Sequence, residues 1–270
     1  FGWNDSSGTR WKICWIPLGG YVKFFGDRNV FSQADHEELL KRYSQEDQKK
    51  LFVTKPLYQR SLIVFGGPLA NFLLAIVIFL SIYMFVGKDF TPALIDEVQK
   101  DSPAEVAGLK KNDVILEIDN NNVESILDVS KLIAMSTSDY IDFKVSRYDQ
   151  EMIFKVKPDL VPSEDNLGNK INKRMVGIKL SPYKNEINHK KLGPIQALIQ
   201  STGEVYFVTT STLKYLGSMF VGKGDSSQLG GPIRIAKISG QVAEFGIIPF
   251  LSMMAYISIS LGLVNLFPIP

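Results

Sequence analysis

The sequence is poor in the residues from which crosslinks and metal sites are built. Among its 270 residues the only cysteine is Cys14, so they hold no intrachain disulfide and no cysteine-rich zinc site. The two histidines, His36 and His189, lie far apart in polar stretches and are expected to be solvated surface residues rather than metal ligands. A net charge of +2 lacks the basic excess that binds phosphate backbones, so no nucleic-acid partner is expected. The chain opens on Phe1 rather than Met and stops at Pro270 straight after an apolar run. Both ends are expected to be cuts, which leaves no signal peptide to read.

What the chain does have is two long runs without charge. Residues 61–87, SLIVFGGPLANFLLAIVIFLSIYMFVG, would extend roughly 40 Å as a helix, against a hydrocarbon core of about 30 Å. A soluble core helix of that length would carry a polar face, so a transmembrane helix is expected over 61–87. Gly67 and Asn71 are four apart and share a face of it. A small residue beside an amide suits close approach of another backbone, so this pair is assigned to site lining or helix packing. Residues 246–270, GIIPFLSMMAYISISLGLVNLFPIP, form the second run and the second expected transmembrane helix. Its end carries Asn265, Pro268 and Pro270, which break a helix where breaking is tolerated only next to protein or water.

Residues 193–222 are apolar in places, but Glu204 and Lys214 interrupt them, and Leu198, Val205, Val208, Leu216 and Met219 fall near helical spacing. An amphipathic helix lying at the membrane interface is expected, the alternative being a span whose charges face a bundle. The stretch that follows, GDSSQLGGPIRIAKISG, reads as a glycine-rich loop.

Upstream of the first run, residues 1–60 are polar apart from an aromatic stretch at about 9–25, TRWKICWIPLGGYVKFF, expected as a membrane-associated β-hairpin. A helical run, ADHEELLKRYSQEDQKKLF, follows it. Lys41, Arg42, Lys49, Lys50, Lys55 and Arg60 precede the first span closely, whereas Lys88 and Lys100 follow it. Basic residues favour the cytoplasmic side, so residues 1–60 are expected inside and residue 88 onward outside.

Residues 92–160 read as one compact α+β domain. ALIDEV and DVILEID are strands, SPAEVAGL a turn into a short helix, and Asn120-Asn121 a tight turn. Ser125 and Asp128 look like a helix cap before LDVSKLIAM, and IDFKVSR and EMIFKVK alternate about Tyr148-Asp149-Gln150 as a hairpin. The order of elements, carried by SPAEVAGLKKNDVILEIDNNNV, resembles a PDZ domain of the circularly permuted bacterial type. Asn112 stands where that family has glycine, and asparagine is the next-best residue for a left-handed conformation. The resemblance implies a groove for chain ends beside the helix near Leu127 to Met135. Residues 161–192 are read as a linker with a short strand, in which Met175-Val176-Gly177-Ile178 is a candidate carboxylate loop.

IPLGGYVKFFGD, GGPLANFLLA and LGLVNLFPIP, in that order and with the PDZ-like domain between the last two, resemble the site-2 protease family of intramembrane zinc metalloproteases. The single PDZ-like domain resembles the bacterial branch, the regulator of sigma-E protease type. The fold class implied is a multi-segment membrane protein with an α-helical transmembrane core, a membrane-associated β-hairpin and an inserted α+β PDZ domain. The activity implied is zinc-dependent cleavage of transmembrane segments in regulated intramembrane proteolysis, for example of an anti-sigma factor, in a bacterial inner membrane with the PDZ domain periplasmic. Alternatives are a membrane-anchored PDZ binding protein without chemistry and an inactive homologue.

The family's zinc ligands, a His-Glu-x-x-His pair and an Asp after the Asn-x-x-Pro segment, are not in this sequence. Zn2+ is therefore expected in the intact protein with ligands beyond residues 1–270, and no residue here is assigned as catalytic or metal-binding. What carries over is substrate handling. Gly19, Gly20, Tyr21, Val22 and Lys23 match the family's β-loop, which holds a substrate as an added strand, and Asn265 and Pro268 match the segment beside the zinc site. The partners implied are a membrane protein with a transmembrane segment, the lipid bilayer, and a peptide C-terminus at the PDZ-like groove.

Overall fold

A computed structural model describes residues 2–6, 8–12, 25, 43–164, 170–221 and 231–266. The chain divides into two compact units, Phe1–Gly66 and Gly67–Pro270.

In the first unit β1 (Gly2–Asn4) pairs antiparallel with β2 (Arg10–Lys12), and Trp3 stacks on Trp11 with ring centroids 6.2 Å apart. Asp5 closes the turn by accepting from the Thr9 amide at 2.8 Å and the Trp11 indole at 3.0 Å. Of the expected hairpin over 9–25, little is described. Residues 10–12 pair upstream, and residues 13–24, including Gly19, Gly20, Tyr21, Val22 and Lys23, lie outside the described residues. Of the expected helical run, α1 (Gln45–Gln48) is described, capped by the Ser44 hydroxyl, which accepts from the Asp47 amide at 3.3 Å. His36 lies outside the described residues.

The first charge-free run forms α2 (Leu57–Ser81), which continues into a π-helical turn at Ile82–Val86. Pro68 sits inside α2, where it leaves the Val64 carbonyl without its helical donor. Leu62, Val64, Leu73, Leu74 and Val77 are exposed, so the helix turns an apolar surface outward that water would disfavour. α7 (Ile247–Leu266) carries the second run, and Leu57–Val86 and Ile247–Leu266 are both long and apolar enough to cross a membrane.

Between them lies an antiparallel six-stranded sheet in the order β11-β4-β5-β7-β8, with β6 paired to β5. The strands are β4 (Ala93–Val98), β5 (Val114–Ile118), β6 (Asn121–Asn122), β7 (Ile141–Arg147), β8 (Gln150–Val156) and β11 (Ile178–Pro182). Alternate residues of β7, Ile141, Phe143 and Val145, are fully buried, as period-2 patterning requires. Against the sheet lie α3 (Pro103–Ala107) and α4 (Ile126–Met135); Val129, Leu132 and Ile133 are the buried stripe of α4, at helical spacing. Burying side chains of this size stabilises the domain by about 1.5–3 kcal/mol each, before conformational entropy is counted.

Positive-φ positions explain the turns. Asn112 has φ 72°, the left-handed conformation expected of it. The β5–β6 turn falls on Asp119 and Asn120, one residue earlier than the expected Asn120-Asn121, because Asn121 already pairs with Ile118. Tyr148 and Asp149, both at positive φ, close the β7–β8 hairpin.

The sheet reaches past residue 160. Residues expected as linker include a hairpin of β9 (Asp159–Glu164) and β10 (Lys170–Met175), and then β11, which becomes the edge strand beside β4. Where the chain enters and leaves this domain, β3 (Lys88–Asp89) pairs with β12 (His189–Lys190). The two connections thus form one short ribbon, the neck of an inserted domain.

Two further helices follow the neck. α5 (Pro194–Phe220) covers the stretch expected at the interface and is not among the helices apolar enough to span. The expected glycine-rich loop needs correction over its second half, where α6 (Pro232–Glu244) forms. Gly231 supplies an extended N-cap, Pro232 sits in the first turn where its missing N–H costs nothing, and Ile235, Ile238 and Val242 recur at helical spacing.

Candidate functional site

Small residues bring α2 and α7 together. Ala75 and Phe79 of α2 are buried with Ala255, Ile259 and Leu263 of α7, and with Val205 and Val208 of α5, in one apolar cluster. The Ser258 hydroxyl donates to the Asn71 carbonyl at 2.9 Å. Gly262 lies against the same turn. A Cβ there would stand 3.2 Å from the Phe72 ring, 3.3 Å from Asn71 Cβ and 3.3 Å from the Pro68 carbonyl oxygen. The helices are antiparallel in this seam, because Gly262 meets Pro68 and Asn71 whereas Tyr256 meets Phe79, with ring centroids 5.2 Å apart.

This geometry separates the residues singled out from the sequence. Asn71 is half-buried in the seam and takes part through its backbone carbonyl and Cβ. Gly67 is exposed, and a Cβ on it would meet nothing within 4 Å. Asn265 is exposed in the last turn of α7, one turn beyond Gly262, and Pro268 lies outside the described residues.

A second feature is the edge strand β11 and the helix α4 that lies near it. α4 is held by a capping box, in which Asp128 Oδ2 accepts from the Ser125 amide at 2.9 Å and from the Glu124 amide at 3.1 Å. At the head of β11, Val176 is buried and Gly177 has φ 78°. A Cβ on Gly177 would collide with Ser102 Cβ at 2.3 Å, so glycine is required by both conformation and space. The Val176 and Gly177 carbonyls accept from Ala104 and Gln99 amides at 2.9 Å each, which ties this loop to α3. Arg174 donates to the Ser138 carbonyl just past α4, and burial pushes its guanidinium below the usual arginine range.

Beneath α3 is a buried ion pair. Asp113, 1% exposed, accepts from Arg147 Nε at 2.7 Å and from a terminal Arg147 nitrogen at 2.7 Å, and also from the Lys110 amide at 2.8 Å. The Arg147 guanidinium also donates to the Gly108 carbonyl at 2.8 Å and lies over the Phe154 ring. Hydrogen bonding to Asp113 holds it above its ordinary range. This pair fixes the turn that leads from α3 into β5.

The residues that sequence reasoning missed form a polar seam joining α4 to α5 and α7. Lys88, directly after the first apolar run, pairs with Glu124 and donates to Gln200 Oε1 at 2.8 Å; Gln200 Nε2 in turn donates to Glu124 at 3.3 Å. Lys131 pairs with Glu204 and stacks over the Phe207 ring, and the Tyr256 hydroxyl donates to the same Glu204 oxygen at 3.0 Å. α5 presents Gln200, Glu204 and Phe207 along one stripe and Ala197, Ser201, Val205 and Val208 along the adjacent one. The sequence signal was Glu204 itself, an acid inside an apolar helix, but nothing local names its partners.

Metal-ligand groups do not converge here. Among the described residues no three His, Cys, Asp or Glu side chains lie close enough to hold an ion. His189 sits in the neck against Gly87. Neither apolar helix offers a His, Asp or Glu, so zinc does not fit the described residues.

Two apolar helices long enough to cross a membrane thus pack through small residues and are separated in sequence by an inserted α+β domain. The model of Peptidase family M50 matches residues 1–270, and the chain belongs to that family. A Rhizobium meliloti protein provisionally named a zinc metalloprotease is 37% identical over 270 residues, covering 100% of this chain and 72% of the relative. Metalloprotease MmpA of Caulobacter vibrioides is 30% identical over 289 residues, covering 99% of this chain and 72% of MmpA. Among solved structures, the PDZ domain of an SdrC-like protein from Listeria monocytogenes aligns with a TM-score of 0.28 and 23% identity, over 34% of this chain and 88% of that one.

Proposed function

We propose that the intact protein is a zinc-dependent endopeptidase that cuts membrane-spanning segments of other membrane proteins within the bilayer. The observation that carries this reading is membership of a peptidase family along the whole of residues 1–270, with relatives named as zinc metalloproteases. The ligands for the metal would be supplied by parts of the protein beyond these residues, since the matched relative is longer than this chain.

In this reading residues 61–87 and 246–270 cross the bacterial inner membrane. Residues 1–60 lie on the cytoplasmic side and the domain built on 92–160 on the periplasmic side, with 193–222 at the interface. The basic residues before the first span support that orientation. Gly19, Gly20, Tyr21, Val22 and Lys23 would hold an extended substrate as an added strand, and Asn265 and Pro268 would border its path. Gly67 and Asn71 would shape the helix wall, and the packing of Gly262 on Asn71 supports a structural part for Asn71. The α+β domain would act as a PDZ domain, taking a chain end between β11 and α4 or excluding bulky substrates. The glycine-dependent loop before β11 supports the first use.

The test is cleavage of a model transmembrane peptide by the intact protein in detergent. Stoichiometric zinc, loss of cleavage on chelation and its return with added zinc are expected. Cleavage unaffected by chelation, or an intact protein that binds no zinc, overturns the proposal.

A further inference from the structure

The α+β domain is joined to the rest of its unit by two structures of different character. One is the neck. Gly87, between the π-helical turn and β3, has φ 118° and ψ 178°, a conformation open essentially to glycine alone. Two residue pairs of β3 and β12 complete it, with the Phe90 amide donating to the Asn188 carbonyl at 2.7 Å and the Leu192 amide to the Tyr83 carbonyl at 3.0 Å. The other is the polar seam, in which Lys131 of α4 and Glu124 just before it meet Glu204, Gln200 and Lys88.

The seam is not built like a permanent interface. Its apolar content centres on Phe207, the one residue among those described that packs against both the domain core and the helix cluster. Its charged members keep partial solvent access, with side-chain exposures of 18% and 33% for Lys88 and Glu124 and 25% and 14% for Lys131 and Glu204. Ion pairs open to water form and break at little net cost, unlike a packed core. Glu204 keeps the Tyr256 hydroxyl as a partner when Lys131 leaves, so parting the seam strands no carboxylate.

We propose that the seam is a releasable latch and the neck its hinge, so that the domain is a lid docked through α4 onto α5. Because the latch is carried by α4, which lies near the edge strand β11, whatever tilts α4 also moves Lys131 off Glu204. α5 and Tyr256 of α7 therefore sense the position of α4. This inference goes beyond the protease reading and stands without it.

The test uses the full-length protein in lipid nanodiscs with nitroxide labels at Lys155→Cys on β8 and Gln196→Cys on α5, both exposed positions, other cysteines being replaced. Pulsed dipolar spectroscopy is expected to give one narrow distance for the native seam. Lys131→Met with Glu124→Gln should add a second, broad component, the undocked population rising about two- to fivefold for each charged pair removed. Reversing one pair, Lys131→Glu with Glu204→Lys, should restore the narrow distance. An unchanged narrow distance in the doubly neutralised protein overturns the latch, as does a reversed pair that stays broad while near-ultraviolet circular dichroism shows a native fold.

Discussion

Lys131 and Tyr256 meet on one atom: both donate to Oε1 of Glu204, the Tyr256 hydroxyl at 3.0 Å. One carboxylate oxygen thus links a helix of the inserted domain, a helix that follows the neck and a helix apolar enough to cross a membrane. The two donors are coupled through a shared acceptor, so their removal should not be additive. Tyr256→Phe should destabilise the protein by about 0.5–1.5 kcal/mol in native Glu204 and by less in Glu204→Leu, measured by thermal melting in detergent. Equal losses in both backgrounds would count against the shared acceptor.

Gly87 and Gly203 make a matched pair. A Cβ on Gly87 would stand 2.7 Å from the His189 ring and 2.8 Å from the Lys190 carbonyl, at φ 118°. Gly87→Ala is expected to cost about 1–3 kcal/mol or more by backbone strain and collision at the neck. Gly203, inside α5, has nothing within 4 Å of its Cβ position, and Gly203→Ala should be neutral or stabilise by about 0.5–1 kcal/mol. Chemical denaturation of the two variants side by side separates the cases.

The helix seam should be sensitive at Gly262 and tolerant at Gly67. Gly262→Val drives a branched side chain into Phe72, Asn71 and the Pro68 carbonyl, and overpacking of this kind costs about 1–3 kcal/mol. Gly67→Ala meets open space and should leave the melting temperature unchanged. If Gly67→Ala abolishes proteolysis by the intact protein while stability holds, Gly67 lines the substrate path; a normal rate leaves it a lipid-facing residue.

Asp113→Ala should be among the most damaging changes in the domain. It strands the Arg147 guanidinium under α3 and frees the Lys110 amide, and breaking a buried pair from one side costs about 3–5 kcal/mol. Hydrogen exchange should show α3 and the loop before β11 losing protection before β7 does.

Much of the domain was legible because its signals are local. Asn112 at a left-handed position, the Ser125–Asp128 capping box and the alternation of Ile141, Phe143 and Val145 each fix a few residues by sterics or periodicity. Where the reading slipped, the deciding force was non-local. β11 lies far along the sequence from β4, yet pairs with it, so the stretch read as a linker with a short strand contributes an edge strand to the sheet. The glycines before Pro232 read as loop, although a Gly-Gly-Pro entry serves equally well to start a helix.

The sequence by itself determined that two segments are too apolar for an ordinary soluble surface. It also determined that an α+β domain separates them and that these residues lack a His-Glu-x-x-His metal site, because each follows from composition or short-range pattern. Only the tertiary structure decided that Asn71 meets Gly262, that α5 stands between the domain and the apolar helices, and that Glu204 joins Lys131 to Tyr256. Those pairings span 52 to 191 residues of chain. No periodicity reaches that far. They are selected when burying apolar surface brings the helices together and every enclosed charge must find a partner.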